Sequence, residues 1–174
     1  MKKKNNKIGI LGGTFDPPHK GHLHISRVGI KKLKLDKLIW VVTKKNPLKK
    51  KPLLNLKTRI KLSKKIAIKE KKILVQYLDK KIKSTKTFNL LKYIKNKNQK
   101  KEIYFLLGAD NLVKFNKWQN WKKIPKLAKI VVFPRQNYPV KSMNSILPKI
   151  LKNNLIYVSC KKVNISSSLI RKFW

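Results

Sequence analysis

Carboxylates are scarce in this chain: 6 Asp and Glu stand against 46 Lys and Arg in 174 residues, a formal net charge of +40 at pH 7. So few acids argue against acid–base chemistry by paired carboxylates and against a dense cation cage built by the protein. There is 1 cysteine, Cys160. Neither a disulfide framework nor a C-x-x-C zinc site can be assembled from it, and a reducing, cytoplasmic compartment is expected. No apolar run approaches a membrane span, and the apolar stretch after the basic segment Met1 to Lys7 is too short for a secretory signal. Repeats and long Gly/Ser linkers are missing too. With 41% hydrophobic content, residues 1–174 are expected to form one domain around one core. Histidine is rare as well: all 3, His19, His22 and His24, fall in one short segment.

That segment is Gly12-Gly13-Thr14-Phe15-Asp16-Pro17-Pro18-His19-Lys20-Gly21-His22. Ile8 to Leu11 before it is an apolar run of buried-strand type, and Ile25, Val28, Gly29 and Leu33 after it recur at helical spacing. The glycines therefore sit at a strand-to-helix turn. Free backbone N–H groups and the positive end of the helix dipole favour a phosphate there, and missing Cβ atoms allow close approach. His19 and His22, three apart at the helix start, can both point at one anion. An H-x-x-H pair could ligate zinc instead, but a tetrahedral site needs further ligands that this chain hardly offers. His24 reads as packing or solvated.

Two other segments carry chemistry. In Ile165-Ser166-Ser167-Ser168-Leu169-Ile170-Arg171, Ser166 or Ser167 caps a helix whose N–H groups and Arg171 guanidinium suit phosphate oxygens. Gly108-Ala109-Asp110-Asn111-Leu112 follows the strand-like Ile103 to Leu107. Asp110 then stands at a strand's C-terminal end, where a carboxylate can accept hydrogen bonds from ribose hydroxyls. Downstream, Trp118 and Trp121 lie among polar residues and can stack on a flat heterocycle. Strand-like runs at 8–11, 38–43, 73–77, 103–107, 130–133 and 155–158 alternate with helical patterns at 20–34, 56–69, 87–96 and 166–173. Such alternation predicts an α/β fold, a doubly wound parallel sheet with helices on both faces. The Lys-rich loop 44–52 and the stretch 134–149 are the least regular parts.

So basic a chain will bind polyanions nonspecifically at low salt, which raises a nucleic-acid-binding reading. The lysines are spread over every helix and loop rather than gathered in a stripe, no RNA- or DNA-binding motif is legible, and they read mostly as solvated faces. A codon bias toward lysine, asparagine and isoleucine would give the same composition.

The run from Gly12 to His22 resembles the signature of the nucleotidylyltransferase superfamily, and the 165–171 segment resembles its I-S-S-T-x-I-R element, with Ser168 replacing threonine. The G-A-D-N segment with its two tryptophans is similar to that of bacterial nicotinate-nucleotide adenylyltransferases. Looser likenesses lie at Trp40 to Thr43 with Asn46 to Lys49, at Thr87 to Leu91, where Asn89 and Leu90 replace aspartate and threonine, and at Phe133-Pro134-Arg135. The resemblance implies a Rossmann-like fold and transfer of AMP from ATP to nicotinate mononucleotide. His19, His22 and Arg171 would be the catalytic groups. Gly12, Gly13, Thr14, Phe15, Gly108, Asp110, Ser167, Ser168 and Lys44 would bind ATP, with Lys49 an alternative source of charge. Thr87, Trp121 and Arg135 would bind the nicotinate nucleotide, and Trp118 would pack. Mg²⁺ would be held by the phosphates, with no protein metal site. Other adenylyltransferases of the superfamily, acting on nicotinamide mononucleotide or phosphopantetheine, share the phosphate motifs.

Overall fold

The computed structural model describes residues 6–135, 151–161 and 165–173; most of the irregular stretch 134–149 and of the basic N-terminus lies outside the described residues. Six strands, β1 (Lys7–Gly13), β2 (Lys37–Val42), β3 (Ile73–Gln76), β4 (Glu102–Gly108), β5 (Lys129–Phe133) and β6 (Leu155–Tyr157), form one sheet in the order β3-β2-β1-β4-β5-β6. Every neighbouring pair is parallel. This is the Rossmann-like doubly wound arrangement, and each expected strand is present with its ends moved by one or two residues.

The helices are α1 (Lys20–Leu33), α2 (Leu56–Ala67), α3 (Asp79–Ile82), α4 (Thr87–Lys97), α5 (Ala109–Leu112) and α6 (Ser167–Arg171), with 3₁₀ turns at Phe115–Lys117 and Trp121–Lys126. The pattern at 166–173 shortens to five residues, and α3, α5 and the 3₁₀ turns are too short to leave a periodic signal.

The strands are near-continuous apolar runs because both faces of a parallel sheet are covered. Alternate residues go to opposite layers. Ile8, Ile10, Ile39, Val41, Phe105 and Leu107 pack with Leu90, Leu91 and Ile94 of α4. Leu38, Trp40, Val42, Leu106 and Val131 pack with α1 and α2 on the other side. Gly29 lets α1 lie close on the sheet: a Cβ there would stand 2.8 Å from Leu106 Cδ2. Among the described residues no helix is long and apolar enough to cross a membrane.

Strand order reverses between β1 and β4. Successive connections on either side of that point leave by opposite faces, so the carboxyl ends of the two strands part around a crevice. That crevice holds the candidate site.

Candidate functional site

A cleft of about 1090 Å³ opens at the C-terminal ends of the central strands and brings together residues from all three sequence segments, His19, His22, Gly108 and Arg171 among them. Its best-defined feature is the histidine pair. His19 caps α1 in extended conformation, and its Nδ1 accepts the Gly21 N–H at 3.1 Å. In return the His19 N–H donates to Nδ1 of His22 at 3.2 Å. With both Nδ1 atoms acting as acceptors, the protons of the neutral rings must lie on Nε2. The rings stand 3.9 Å apart between centroids, and each leaves one N–H for a ligand in the cleft. Gly21 is required for this geometry, since a Cβ would sit 2.8 Å from His19 Nδ1.

Both rings are held neutral. Burial, then the Arg135 charge, lowers the His19 pKa to about 4. Burial, with His19, Arg135 and Lys49 adding to it, pushes His22 well below its usual 6.5. Between pH 6.5 and about 4 the unfolded chain therefore takes up protons that folded His19 refuses. The stability associated with this difference is present above the unfolded pKa and is lost as pH falls through that window. Thermal midpoints should drop on acidification over that range, and a His19→Asn, His22→Asn double variant should show a shallower drop; an identical slope in the variant would contradict the neutral-pair assignment.

The second segment packs directly on the first. Ser166 is the N-cap of α6, accepting the Leu169 N–H at 3.1 Å, and the Ser167 hydroxyl donates to the Pro17 carbonyl at 2.8 Å. Arg171 donates to the Asp16 carbonyl oxygen, lies 3.5 Å from Asp16 Oδ2, and reaches Ser168 Oγ at 3.2 Å. Asp16 is itself buried, its carboxylate taking the N–H groups of Leu53 and Leu54 at 2.9 Å each. One carboxylate thus ties the β1–α1 turn to the 44–54 loop and stands beside the α6 arginine.

In the turn after β1 the absence of Cβ atoms at Gly12 and Gly13 leaves the cleft floor open, as expected, and the unusual backbone falls on the next aromatic residue. The left-handed residue of this turn is Phe15, at φ 49°, rather than a glycine. Phe15 is buried, so of its groups only the backbone is placed for a ligand. At Gly12 and Gly13 a Cβ would meet its nearest atoms only at 3.7 and 3.6 Å. What glycine provides there is an open cleft floor beside Thr14, not a backbone conformation.

At the other end of the cleft the structure moves three expected residues. Lys44 does not line it: the Lys44 N–H donates to Asp79 Oδ2 at 2.7 Å and the residue borders a small separate notch of about 430 Å³. Lys49, two turns of loop later, does line the cleft; desolvation lowers its pKa against the opposing pull of Asp110. Asp110 does not itself line the cleft. Its Oδ1 is buried without a hydrogen bond, 3.5 Å from Arg135 Nη1, while the neighbouring Asn111 and Arg135 line the wall. Trp121 is outside the lining and Trp118 inside it. Trp118 stands edge-on to Phe105 of β4 at 5.9 Å and tilted on Phe115 at 5.1 Å, and Trp121 meets Phe115 edge-on at 6.3 Å with the Lys122 ammonium over its ring. Between them Asn120 adopts φ 55°. This left-handed residue bends the chain between the two rings, both of which touch Phe115 while Trp118 alone of the two lines the cleft. Thr87 opens α4 and lines the same end. His24 is at the rim, its Nε2–H given to the Lys161 carbonyl at 2.9 Å.

Sequence reading missed Arg59. Its buried guanidinium donates to the carbonyls of Leu54, Thr14, Thr43 and Lys44 at 2.6–3.0 Å, joining all the loop segments on one side of the cleft. A signal was present. The chain has four arginines among its 46 basic residues, and a planar five-donor fork is what lysine cannot replace. Arg59, Arg135 and Arg171 all serve the cleft or its walls.

Residues 10–173 match the cytidylyltransferase-like family model. A protein of Pelagibacter ubique described as a probable nicotinate-nucleotide adenylyltransferase is 50% identical over 99% of this chain and 96% of its own length. One of Clostridium novyi with the same description is 35% identical over 98% and 86%. In fold, the chain is similar to the Plasmodium falciparum nicotinic acid mononucleotide adenylyltransferase complexed with NaAD, with a TM-score of 0.80 at 22% identity over 96% of this chain and 83% of that one.

Proposed function

This chain belongs to the cytidylyltransferase-like family and within it to the nicotinate-nucleotide adenylyltransferases, and from that premise we infer how its cleft transfers AMP from ATP to nicotinate mononucleotide. The observation that carries the residue assignment is that the Nδ1 atoms of His19 and His22 each accept a backbone N–H, which leaves two neutral Nε2–H donors at a helix N-terminus in the cleft that Arg171 and the start of α6 also line. In this reading the donors hold α- and β-phosphate oxygens, and Gly12 to Thr14 form the floor beneath them. Ser167, Ser168 and Arg171 take the β/γ end, Lys49 adds charge, and Gly108 with Arg135 borders the nucleotide.

An oxygen of the mononucleotide 5′-phosphate attacks the α-phosphorus in line. The new P–O bond forms as the α–β bridge breaks, and pyrophosphate leaves with the electron pair. The attacking phosphate is already ionised near neutral pH, so no general base is needed. Catalysis comes from positioning and from charge stabilisation on the transferring group.

The donor set fits a Mg²⁺ that arrives on phosphate oxygens and keeps water ligands. Asp16 and Asp79 are already engaged by backbone and hydroxyl donors, and among the described residues no three His, Cys, Asp or Glu side chains converge. Bound there, the ion would neutralise charge developing on the phosphates. A reducing cytoplasm suits the unpaired Cys160.

For the pyridine ring, Trp118 is the stacking platform in this reading because it lines the cleft, as Thr87 does. Base–aromatic stacking contributes about 1–3 kcal/mol, so Trp118→Ala should raise KM for nicotinate mononucleotide by about tenfold or more, while Trp121→Ala leaves it nearly unchanged. The reverse pattern would return the platform to Trp121. Pyrophosphate release with ATP and Mg²⁺ tests the activity, with nicotinate mononucleotide, nicotinamide mononucleotide and phosphopantetheine compared at moderate salt. Preference for the nicotinate compound is expected; turnover only with phosphopantetheine would overturn the substrate.

A further inference from the structure

Behind His22 lie Trp40 and Ser26, both fully buried and outside the cleft lining. Trp40, on β2, is fully enclosed, and its Nε1–H donates to Ser26 Oγ at 2.8 Å. The Ser26 hydroxyl in turn donates to the His22 carbonyl one helical turn earlier, at 2.6 Å. Because one lone pair of the hydroxyl is taken by the indole N–H, its proton is committed to that carbonyl. The Phe15 ring fills the space between, stacked on Trp40 at 5.1 Å and tilted against His22 at 4.7 Å. Trp40 also meets His22 edge-on at 6.0 Å. Phe15 holds a left-handed backbone, φ 49°, to place its ring there, a conformation that costs a bulky residue free energy.

We propose that Trp40 and Ser26 are positioning residues for His22, fixing the first turn of α1 from its backbone side while Phe15 fixes the imidazole from its face. The sequence alone gives no reason for a tryptophan and a serine at these depths. An apolar core would be served as well by leucine and alanine, without two polar groups to satisfy. Trp40 and Ser26 both lead to the residue that offers its Nε2–H to the cleft. The inference rests on the reading of His22 as a phosphate donor.

The test is a pair of double-mutant cycles. Trp40→Phe and Ser26→Ala are each made alone and combined with His22→Ala, and kcat and KM for ATP are measured beside thermal midpoints. Misplacing a catalytic group by a fraction of an ångström to 1 Å lowers rates by up to about a hundredfold; here each single variant should lose about tenfold in kcat with little change in KM. On the His22→Ala background the same changes should cause no further loss, because there is no imidazole left to misplace. Equal losses on both backgrounds, or no loss with His22 present, would overturn the proposal. Should His22→Ala turn over like the unaltered enzyme, the phosphate role of His22 falls first, a result visible before the cycle is closed. If Trp40→Phe does not fold, the Ser26→Ala cycle decides alone.

Discussion

Turnover of the His22→Ala variant is expected to fall by about several hundredfold, the scale of removing one donor aimed at an oxyanion as its charge develops. The size follows from the environment of the ring. A neutral N–H in water would gain little from a phosphate oxygen, since solvent supplies equal partners. His22 is half-buried and its proton is fixed on Nε2 by the bond that Nδ1 accepts from the His19 backbone. The donor therefore needs no reorganisation when the transferring phosphorus passes between oxygens. The loss should appear in kcat more than in KM, because the interaction strengthens as charge moves to the bridging oxygen. His19→Ala should combine two effects, the same kind of catalytic loss and about 1 kcal/mol of helix-cap stability from the Gly21 N–H left without its acceptor. His24→Ala should do neither, because its Nε2–H is given to the Lys161 carbonyl. Unchanged kcat in His22→Ala would sink the phosphate role.

Sequence and structure agree best where a pattern is long or its chemistry local. The six strands were legible because burial on both faces makes each an unbroken apolar run, and α1, α2 and α4 because their apolar spacing extends over 11–14 residues. The caps at His19 and Ser166, and the gathering of His19, His22 and Arg171 in one cleft, follow from patterns in neighbouring residues of the chain. The misplacements share a different cause. Lys44 and Lys49 sit in a loop whose direction is set by a buried carboxylate some thirty residues away, and Lys44 is drawn off by Asp79. Trp118 rather than Trp121 lines the cleft, with a left-handed residue bending the chain between them. Spacing in a chain segment gives facing only when the backbone conformation is known, and in 3₁₀ turns joined by an αL residue it is not. Asp110 has a similar explanation: the four-residue α5 turns its carboxylate toward Arg135, a partner on the neighbouring strand end.

Arg59→Met should lower stability by about 3 kcal/mol or more, since each buried carbonyl left without a partner costs about 1–3 kcal/mol. For a domain of this size that is a fall in thermal midpoint of about 6–12 °C. Methionine keeps the length and apolar stem, which isolates the fork. Arg59 is on the face of α2 that it shares with Ser63 and Ala67, where a charge would ordinarily be excluded. Burial does weaken its hold on its proton, and Asp16 and Asp79 only partly oppose this because neither touches it. What offsets the desolvation is the set of four charge-assisted bonds to backbone oxygens. Lysine could reach one or two of these and would shed them readily to water, so Arg59→Lys should recover only a small part of the loss. The function should suffer beyond the stability change. Thr14, Thr43, Lys44 and Leu54 belong to the segments that carry the cleft floor and lead to Lys49, and with the fork gone their carbonyls can turn to solvent. KM for ATP should rise well below the melting range. A normal KM in an otherwise folded Arg59→Met enzyme would show that Asp16 alone, through its bonds to Leu53 and Leu54, holds the loop against the phosphate site.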